Sequence, residues 1–357
     1  MSTSRIWWEG KAFSPEEWNS SMDGHFSTFP DWLKEWSIFL REWLSPSHHI
    51  EVQTSGSTGK AQAMLLLKSN MRLSAQSTNR YFQLGADSRL LSCLPVRFIA
   101  GKMMLVRALE AGADLILKEP RVNPLDEITE EFDFAALTPH QLWNAHHAGS
   151  PIHRIQTILL GGEAVSAALL QVIQSYPVRF VASYGMTETI THVALQELHP
   201  NYEAYFRLLP GVRAGLNSEG SLFLEASWIE GRIQTTDRVE FIDSNRFRFL
   251  GRTDFIINSG GIKVNPEEWE RSVKEQVSFD WLISACPHAE KGEELVLVVG
   301  ETDCHLAEAW LDTVNRYSTF GVSIKKLQCW DVIPRTESGK INRTEVKNRL
   351  QNDTFSP

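Results

Sequence analysis

Cysteine is scarce in this chain: four in 357 residues, at positions 93, 286, 304 and 329, with no Cys-x-x-Cys pair. That scatter argues for neither a disulfide framework nor a structural zinc site, and makes a reducing cytoplasm the expected compartment. No apolar run approaches the roughly 18 residues that a membrane span needs. The opening Met-Ser-Thr-Ser-Arg-Ile-Trp-Trp-Glu lacks the apolar core of a secretory signal. Basic residues are in deficit, 35 against 44 acidic, for a net charge of −9, which argues against a nucleic-acid surface. Internal repeats and low-complexity linkers are missing as well. The histidine pairs His48-His49 and His146-His147 are adjacent, so they diverge on regular structure, and no His-Glu-x-x-His accompanies them. They read as structural or exposed. What remains is a soluble globular chain, 42% hydrophobic and 22% charged, long enough for two or three structural units.

The stretch the chain is organised around is Thr54-Ser55-Gly56-Ser57-Thr58-Gly59-Lys60-Ala61-Gln62, after the strand-like Ile50-Glu51-Val52. Its glycines permit positive φ and close backbone approach, so successive N–H groups can converge on one anion. Lys60 adds a point charge for a phosphate oxygen. It is not a Walker A loop, which needs glycine at 54 and Ser/Thr at 61. Taken alone, the stretch is equally readable as a flexible Gly/Ser/Thr turn.

Before it, residues 1–49 hold six of the twelve tryptophans. Leu33, Trp36, Phe39, Leu40 and Trp43 fall at helical spacing, with Asp31 as N-cap, which predicts an amphipathic helix packing onto something larger. After it, strands and helices alternate. Strand 63–67 leads to helix 69–84, capped by Ser69 and stopped by Gly85, then strand 89–94, helix 102–111 and strands 114–118 and 134–137. Helix 139–146, strand 155–160, helix 166–176 and strand 178–183 follow. That alternation predicts an α/β fold, a mainly parallel sheet covered by helices, with ligand loops at the carboxyl ends of its strands. The loops after 52, 160 and 183 would share that rim.

From about 205 to 251 the pattern is a small β-rich unit of short strands, 221–225, 238–242 and 246–250. Gly251-Arg252-Thr253-Asp254 then leads to a compact α+β region. It has a helix from Pro266 capped by Asn265, a strand at 295–299, a helix at 305–317 and a strand at 325–330. The organisation read is an N-terminal domain over 1–251 (lead-in 1–49, core 50–204, β-rich unit 205–251) and a small C-terminal domain over 252–357.

Chemistry concentrates on two further rim loops. Gly161-Gly162-Glu163 ends a strand with backbone open enough for a flat ring. In Ser183-Tyr184-Gly185-Met186-Thr187-Glu188-Thr189, Tyr184 can stack on a base, Thr187 can bond a phosphate and Glu188 can hold Mg²⁺ through oxygen. Each alone is compatible with an ordinary turn; together they point to a nucleotide.

In this order the chain resembles the adenylate-forming superfamily of acyl-CoA synthetases, carrier-protein adenylation domains and luciferases. Thr54–Gln62 is similar to the family's phosphate loop, Ser/Thr-Ser-Gly-Ser/Thr-Thr-Gly-x-Pro-Lys, with Ala61 and Gln62 in place of Pro and Lys. Leu94-Pro95 to Gly101 resembles the loop flanking the acyl pocket, with Arg97-Phe98 where many members carry a histidine at 98. Gly161-Gly162-Glu163 and Tyr184–Thr189 resemble the adenine and AMP/Mg²⁺ motifs. Thr236-Asp237 matches the ribose-binding Ser/Thr-Gly-Asp, with Thr236 for glycine. Gly251–Asp254 and Ser259-Gly260-Gly261 resemble the hinge and the start of a mobile domain, with Phe255 for the second hinge aspartate. Pro334-Arg-Thr-Glu-Ser-Gly-Lys-Ile-Asn-Arg343 resembles the motif bearing a catalytic lysine, Lys340. The phosphate loop comes early, so much of the usual N-terminal subdomain is missing.

The resemblance implies an ATP-dependent ligase using ATP, Mg²⁺ and coenzyme A. An acyl-adenylate forms and then a thioester, with the C-terminal domain turning about Asp254 between the half-reactions. It implies Lys340, Thr187 and Glu188 as catalytic residues, with Glu188 on the metal. Thr54 to Lys60, Gly161 to Glu163, Ser183 to Met186, Asp237 and Arg252 would hold the nucleotide. Gly260 and Gly261 would line the thiol path. Within the superfamily the chain is most similar to the o-succinylbenzoate–CoA ligases of menaquinone biosynthesis, through 94–113 and Leu137-Thr-Pro-His-Gln-Leu-Trp143. Arg97, Phe98, Lys102 and His140 are then the candidate acid pocket. Ligases for other aryl or acyl acids, and a non-catalytic nucleotide-binding homologue, stay open, as does a homodimer.

Overall fold

The structure, a computed structural model, describes residues 4–53, 63–273, 279–336 and 341–353. The chain starts with β1 (Ile6–Trp8), β2 (Lys11–Phe13), α1 (Pro15–His25) and α2 (Asp31–Leu44). Next come β3 (His49–Gln53), β4 (Ala63–Leu67), α3 (Lys68–Phe82), β5 (Arg89–Ser92), α4 (Ile99–Ala111), β6 (Asp114–Leu117) and β7 (Phe132–Leu137). α5 (Pro139–His147), β8 (Ile155–Leu160), α6 (Ala167–Ile173), β9 (Arg179–Gly185) and β10 (His192–His199) follow. Short strands β11 (Phe206–Leu208), β12 (Arg213–Leu216) and β13 (Ser221–Glu225) lead to the long hairpin β14 (Ile233–Asp243) and β15 (Arg246–Arg252). The last region contains β16 (Ile257–Ser259), β17 (Ile262–Val264), α7 (Pro266–Val273), β18 (Trp281–His288), β19 (Gly292–Gly300), α8 (Cys304–Arg316), β20 (Lys326–Trp330) and α9 (Arg343–Asp353).

One 13-stranded sheet runs in the order β12-β13-β14-β15-β11-β10-β9-β8-β7-β5-β6-β1-β2. From β9 to β1 all pairs are parallel, as the alternation predicts. These strands are apolar on both faces because helices cover both. Leu90, Leu115, Phe134, Leu159 and Val181 face α2, α3 and α4, while their neighbours Leu91, Ile116, Ala135, Ile158 and Phe180 face α5 and α6. The β-rich stretch from 206 to 252 hydrogen-bonds onto the same sheet through β9–β10 and β11–β15, so it is an antiparallel continuation of that sheet.

Three local readings are corrected. Among the described residues β3 pairs only with β4, antiparallel, so the strands flanking 54–62 form a separate two-stranded sheet outside the parallel one. α2 and α3 are entered from Pro30 and Leu67, with no side-chain cap from Asp31 or Ser69, and α3 ends on Gln83 in the left-handed region ahead of Gly85. Cys304 and Cys329 form a disulfide joining the start of α8 to β20, with Cα atoms 5.8 Å apart; sequence spacing hid it because the partners sit on different elements.

The tryptophan-rich lead-in does what its periodicity predicts, burying Leu33, Trp36, Phe39, Leu40 and Trp43. Trp18 meets Trp36 and Trp8 edge-on, the arrangement that suits the ring quadrupole. Lys68 ties α2 to the core: its Nζ donates to the carbonyls of Glu42, Trp43 and Ser45 at 2.7, 2.9 and 2.9 Å. The lead-in also adds β1 and β2 at the sheet edge, where Arg5 Nε and Trp7 Nε1 both reach Asp114, at 3.1 and 3.0 Å. The C-terminal sheet, β17-β16-β19-β18 with β20 on β19, packs Trp269, Trp310 and Val314 of α7 and α8 on one face and Val346 and Leu350 of α9 on the other.

Candidate active site

The rim at the carboxyl ends of β8 and β9 is built for close approach. Gly161 N–H donates to Leu137 O at 3.1 Å, extending the parallel ladder one residue past β8. A Cβ on Gly161 would lie 2.7 Å from Ser183 Oγ, which itself donates to Leu160 O at 2.9 Å, so a side chain there would displace this cross-tie. Gly162 then turns the chain off the sheet at φ +94°. Glu163 accepts from the backbone N–H of His140 at 3.2 Å, bracing the rim against the head of α5.

At the end of β9, a Cβ on Gly185 would come 2.2 Å from Thr191 O, which excludes any other residue. The loop then makes a 3-10 turn over Thr187–Thr189. Buried Thr189 holds it, accepting from Met186 N–H at 3.0 Å and donating to Thr191 O at 2.6 Å. Ile190 closes the turn at φ +70°, a strained conformation for a β-branched residue. Thr187 is buried, and Glu188 is left half-exposed.

Tyr184 lies among Phe206, Phe247 and Phe249, with centroids 5.7, 5.3 and 6.1 Å away, and its hydroxyl donates to the Asp237 carboxylate. The sequence suggested two separate contacts, Tyr184 on a base and Asp237 on a ribose; the structure joins the two side chains. Burial raises the Asp237 pKa, opposed by the Tyr184 hydrogen bond and the Arg252 charge. Burial, then the Asp237 charge, raises that of Tyr184 well above the ordinary phenol value, so Tyr184 stays a donor. The β14–β15 register sets Arg252 directly across from Asp237, with Nε 3.8 Å from Oδ1. Arg252 also reaches Thr236 Oγ1 at 2.8 Å and Asp254 Oδ2 at 2.7 Å.

Thr54, Ser55, Gly56, Ser57, Thr58, Gly59, Lys60, Ala61, Gln62 and Lys340 lie outside the described residues. The flanks of Lys340 are anchored: Arg335 bridges to Ile341, and Arg343 is paired with Glu270 and lies 3.8 Å from Glu267. Gly260 and Gly261 form the two-residue turn between β16 and β17 at φ +59° and +83°, a conformation few other residues adopt.

The bases expected around the acid are not gathered at one place. Arg97 is exposed, 5.0 Å from the Phe98 ring centroid, and lines a cavity of about 180 Å³ with Trp32, Trp36 and Lys118. Lys102 is buried with Nζ 4.3 Å from the Phe39 ring centroid, and burial lowers its pKa. His140 is exposed, with its Nε2 3.3 Å from Asn144. The cation that sequence reasoning missed is Arg107 on α4, 1% exposed. It makes no ion pair among the described residues; Nη1 meets only Met104 Sδ at 3.6 Å, and Nε has no acceptor. Burial pulls its pKa down to about 10. Its charge is felt by buried His192, which pairs across the β9–β10 ladder with Gly185 and meets Thr78 Oγ1 at 3.1 Å. Asn79, donating to Arg107 O at 2.9 Å, leaves its own Oδ1 without a partner. Among the described residues this desolvated guanidinium therefore has no counter-charge, and its field reaches His192, across the ladder from Gly185. The available signal was one charge inside the apolar helical run Met103–Ala108.

A doubly covered parallel sheet, glycine-lined loops at the ends of adjacent strands and a carboxylate–phenol pair beside them define a nucleotide-using α/β enzyme. The AMP-binding enzyme profile matches residues 50–220. An acyl-CoA synthetase (AMP-forming)/AMP-acid ligase II-like protein from Dyadobacter fermentans is 30% identical, with 91% of this chain and 97% of that one covered at a TM-score of 0.60. The chain belongs to this AMP-forming acyl-CoA synthetase family. A 2-succinylbenzoate–CoA ligase from Listeria monocytogenes is 25% identical across 91% of this chain and 75% of its own length. The Bacillus subtilis O-succinylbenzoate coenzyme A synthetase, solved with ATP and magnesium, superposes at a TM-score of 0.72 with 18% identity, over 97% of this chain and 83% of that one.

Proposed function

We propose that this enzyme activates 2-succinylbenzoate with ATP and transfers it to coenzyme A, a step of menaquinone synthesis, in the cytoplasm. The observation that carries the choice of acid is Arg107. One carboxylate of a diacid must meet the α-phosphate of ATP, and the other must be desolvated in the pocket. A buried cation with no counter-charge among the described residues matches that second charge. A charge pair at ~4 Å is worth roughly 4 kcal/mol at an effective dielectric near 20. The Listeria relative points to the same acid.

In this reading the carboxylate oxygen attacks the α-phosphorus and the bond to pyrophosphate breaks. The coenzyme A sulfur then attacks the acyl carbon, and AMP leaves. Gly161, Gly162 and Glu163 border the adenine, Asp237 accepts from ribose hydroxyls, and Arg252 approaches ribose or phosphate. Thr54 to Lys60 hold the outgoing phosphates, and Lys340 meets the charge developing where the two anions join. The family resemblance implies a Mg²⁺ ion that arrives with the nucleotide. Glu188, beside Thr187, would hold that Mg²⁺, which when bound neutralises phosphate charge. Met186, Ser183 and Gly185 shape the loop, and Gly260 and Gly261 approach the thiol path after the turn about Asp254.

The test is pyrophosphate release over a panel of carboxylic acids without coenzyme A. Release with 2-succinylbenzoate well above that with benzoate supports the reading. Preference for a monoacid shifts the substrate, and no release with any acid overturns the activity.

A further inference from the structure

Thr236 stands on β14 beside Asp237, and its hydroxyl does two things at once. It donates to Asp254 Oδ2 at 3.0 Å and accepts from Arg252 Nη2 at 2.8 Å. The same Nη2 reaches the same Oδ2 at 2.7 Å, closing a three-membered polar ring of hydroxyl, guanidinium and carboxylate. The backbone repeats the tie, since Thr253 Oγ1 donates to Thr236 O at 3.0 Å. Thr236 belongs to the large sheet. Asp254 sits in the 3-10 turn Thr253–Phe255 that leaves it toward β16.

We infer that Thr236 is a latch on the hinge, a positioning residue that holds Asp254 and Arg252 in the arrangement seen here and sets the balance between the half-reactions. The inference rests on the proposed function in taking Asp254 as the hinge. Turning the chain at Asp254 changes its backbone dihedrals and carries its carboxylate away from a hydroxyl fixed in a strand. The ring must open first. Arg252 is released in the same event, so the guanidinium is free to approach a nucleotide only when the hinge carboxylate has let go. The glycine of the motif that this segment resembles could not close the ring, so the latch comes with this chain's own departure from it. Hydrogen bonds to charged groups are the stronger kind. With Asp254 and Arg252 side chains 33% and 29% exposed, water competes, and an effect of about tenfold is expected rather than a hundredfold.

The test compares the full-length wild type with Thr236→Val, which keeps the shape without the hydroxyl, and Thr236→Ser, which keeps the hydroxyl; Thr236→Ala replaces the valine variant should that fail to fold. Amide hydrogen exchange of 253–256 in the ligand-free protein should rise about tenfold in Thr236→Val and stay near wild type in Thr236→Ser. The ratio of acyl-adenylate formation to thioester formation from pre-made acyl-adenylate should move about tenfold in Thr236→Val and be restored in Thr236→Ser. Unchanged exchange and an unchanged ratio in a folded Thr236→Val protein would overturn the latch. So would equal loss of both half-reactions, which marks a structural role. If the wild type shows no acid-dependent chemistry, the proposed function has failed on its own, and hydrogen exchange still decides the latch.

Discussion

Tyr184, at the end of a central parallel strand, donates its phenolic hydrogen to Asp237, which the antiparallel half of the same sheet supplies. The pair joins the rim where a base would lie to the carboxylate where a ribose would lie. Removing the hydroxyl leaves a buried carboxylate short of a donor, at a cost of about 1–3 kcal/mol. Tyr184→Phe is therefore expected to lower the denaturation midpoint and raise KM for ATP about tenfold. Burial already raises the Asp237 pKa, and losing the bond raises it further. The variant's ATP affinity should then fall off at higher pH than the wild type's on acidification, as a titration of KM would show.

Arg107 carries a prediction with opposite signs for stability and activity. A buried charge with no counter-charge among the described residues carries a desolvation cost that an apolar side chain of similar size does not. Arg107→Met should raise Tm while lowering kcat/KM for 2-succinylbenzoate about a hundredfold, with a monocarboxylic acid little affected. Equal losses for diacid and monoacid would remove Arg107 from the acid pocket.

His192 makes stability depend on pH. Burial, then the Arg107 charge, pushes its pKa well below the ordinary imidazole value. The folded chain therefore keeps it neutral while the unfolded chain takes up a proton near pH 6.5. Its contribution is fully present above that value and is lost as pH falls below it, by up to about 1.4 kcal/mol per pH unit. Urea midpoints from pH 7.5 to 5 should decline, and His192→Gln should flatten that slope.

The role proposed for Lys340 predicts that its loss separates the two half-reactions. Lys340→Ala should abolish adenylation, read as pyrophosphate release, while sparing thioester formation from pre-made acyl-adenylate. Equal loss in both would contradict its assigned role.

Much of this was legible in the sequence because the parallel core writes itself in apolar runs between helical periods. The face of α2 was readable residue by residue, as were the glycines of the rim, whose steric need is local. Pairing was harder. β1 is too short for a period, and the tie from Arg5 and Trp7 to Asp114 spans more than a hundred residues. The β3–β4 hairpin hid because residues 54–62 separate its strands. Side-chain partnership was hardest, since no spacing rule tells that Lys102 turns onto Phe39 while Arg107, five residues on, has no counter-charge among the described residues. The ring of Thr236, Arg252 and Asp254 depends on the β14–β15 register.

The most direct measurement is the product of a single mixture of protein, 2-succinylbenzoate, MgATP and coenzyme A, followed by mass spectrometry. The account predicts a mono-coenzyme A thioester of the acid with AMP in equal amount, both absent when the acid is left out. AMP and thioester that do not depend on the acid, or neither product while the protein is folded, would contradict it.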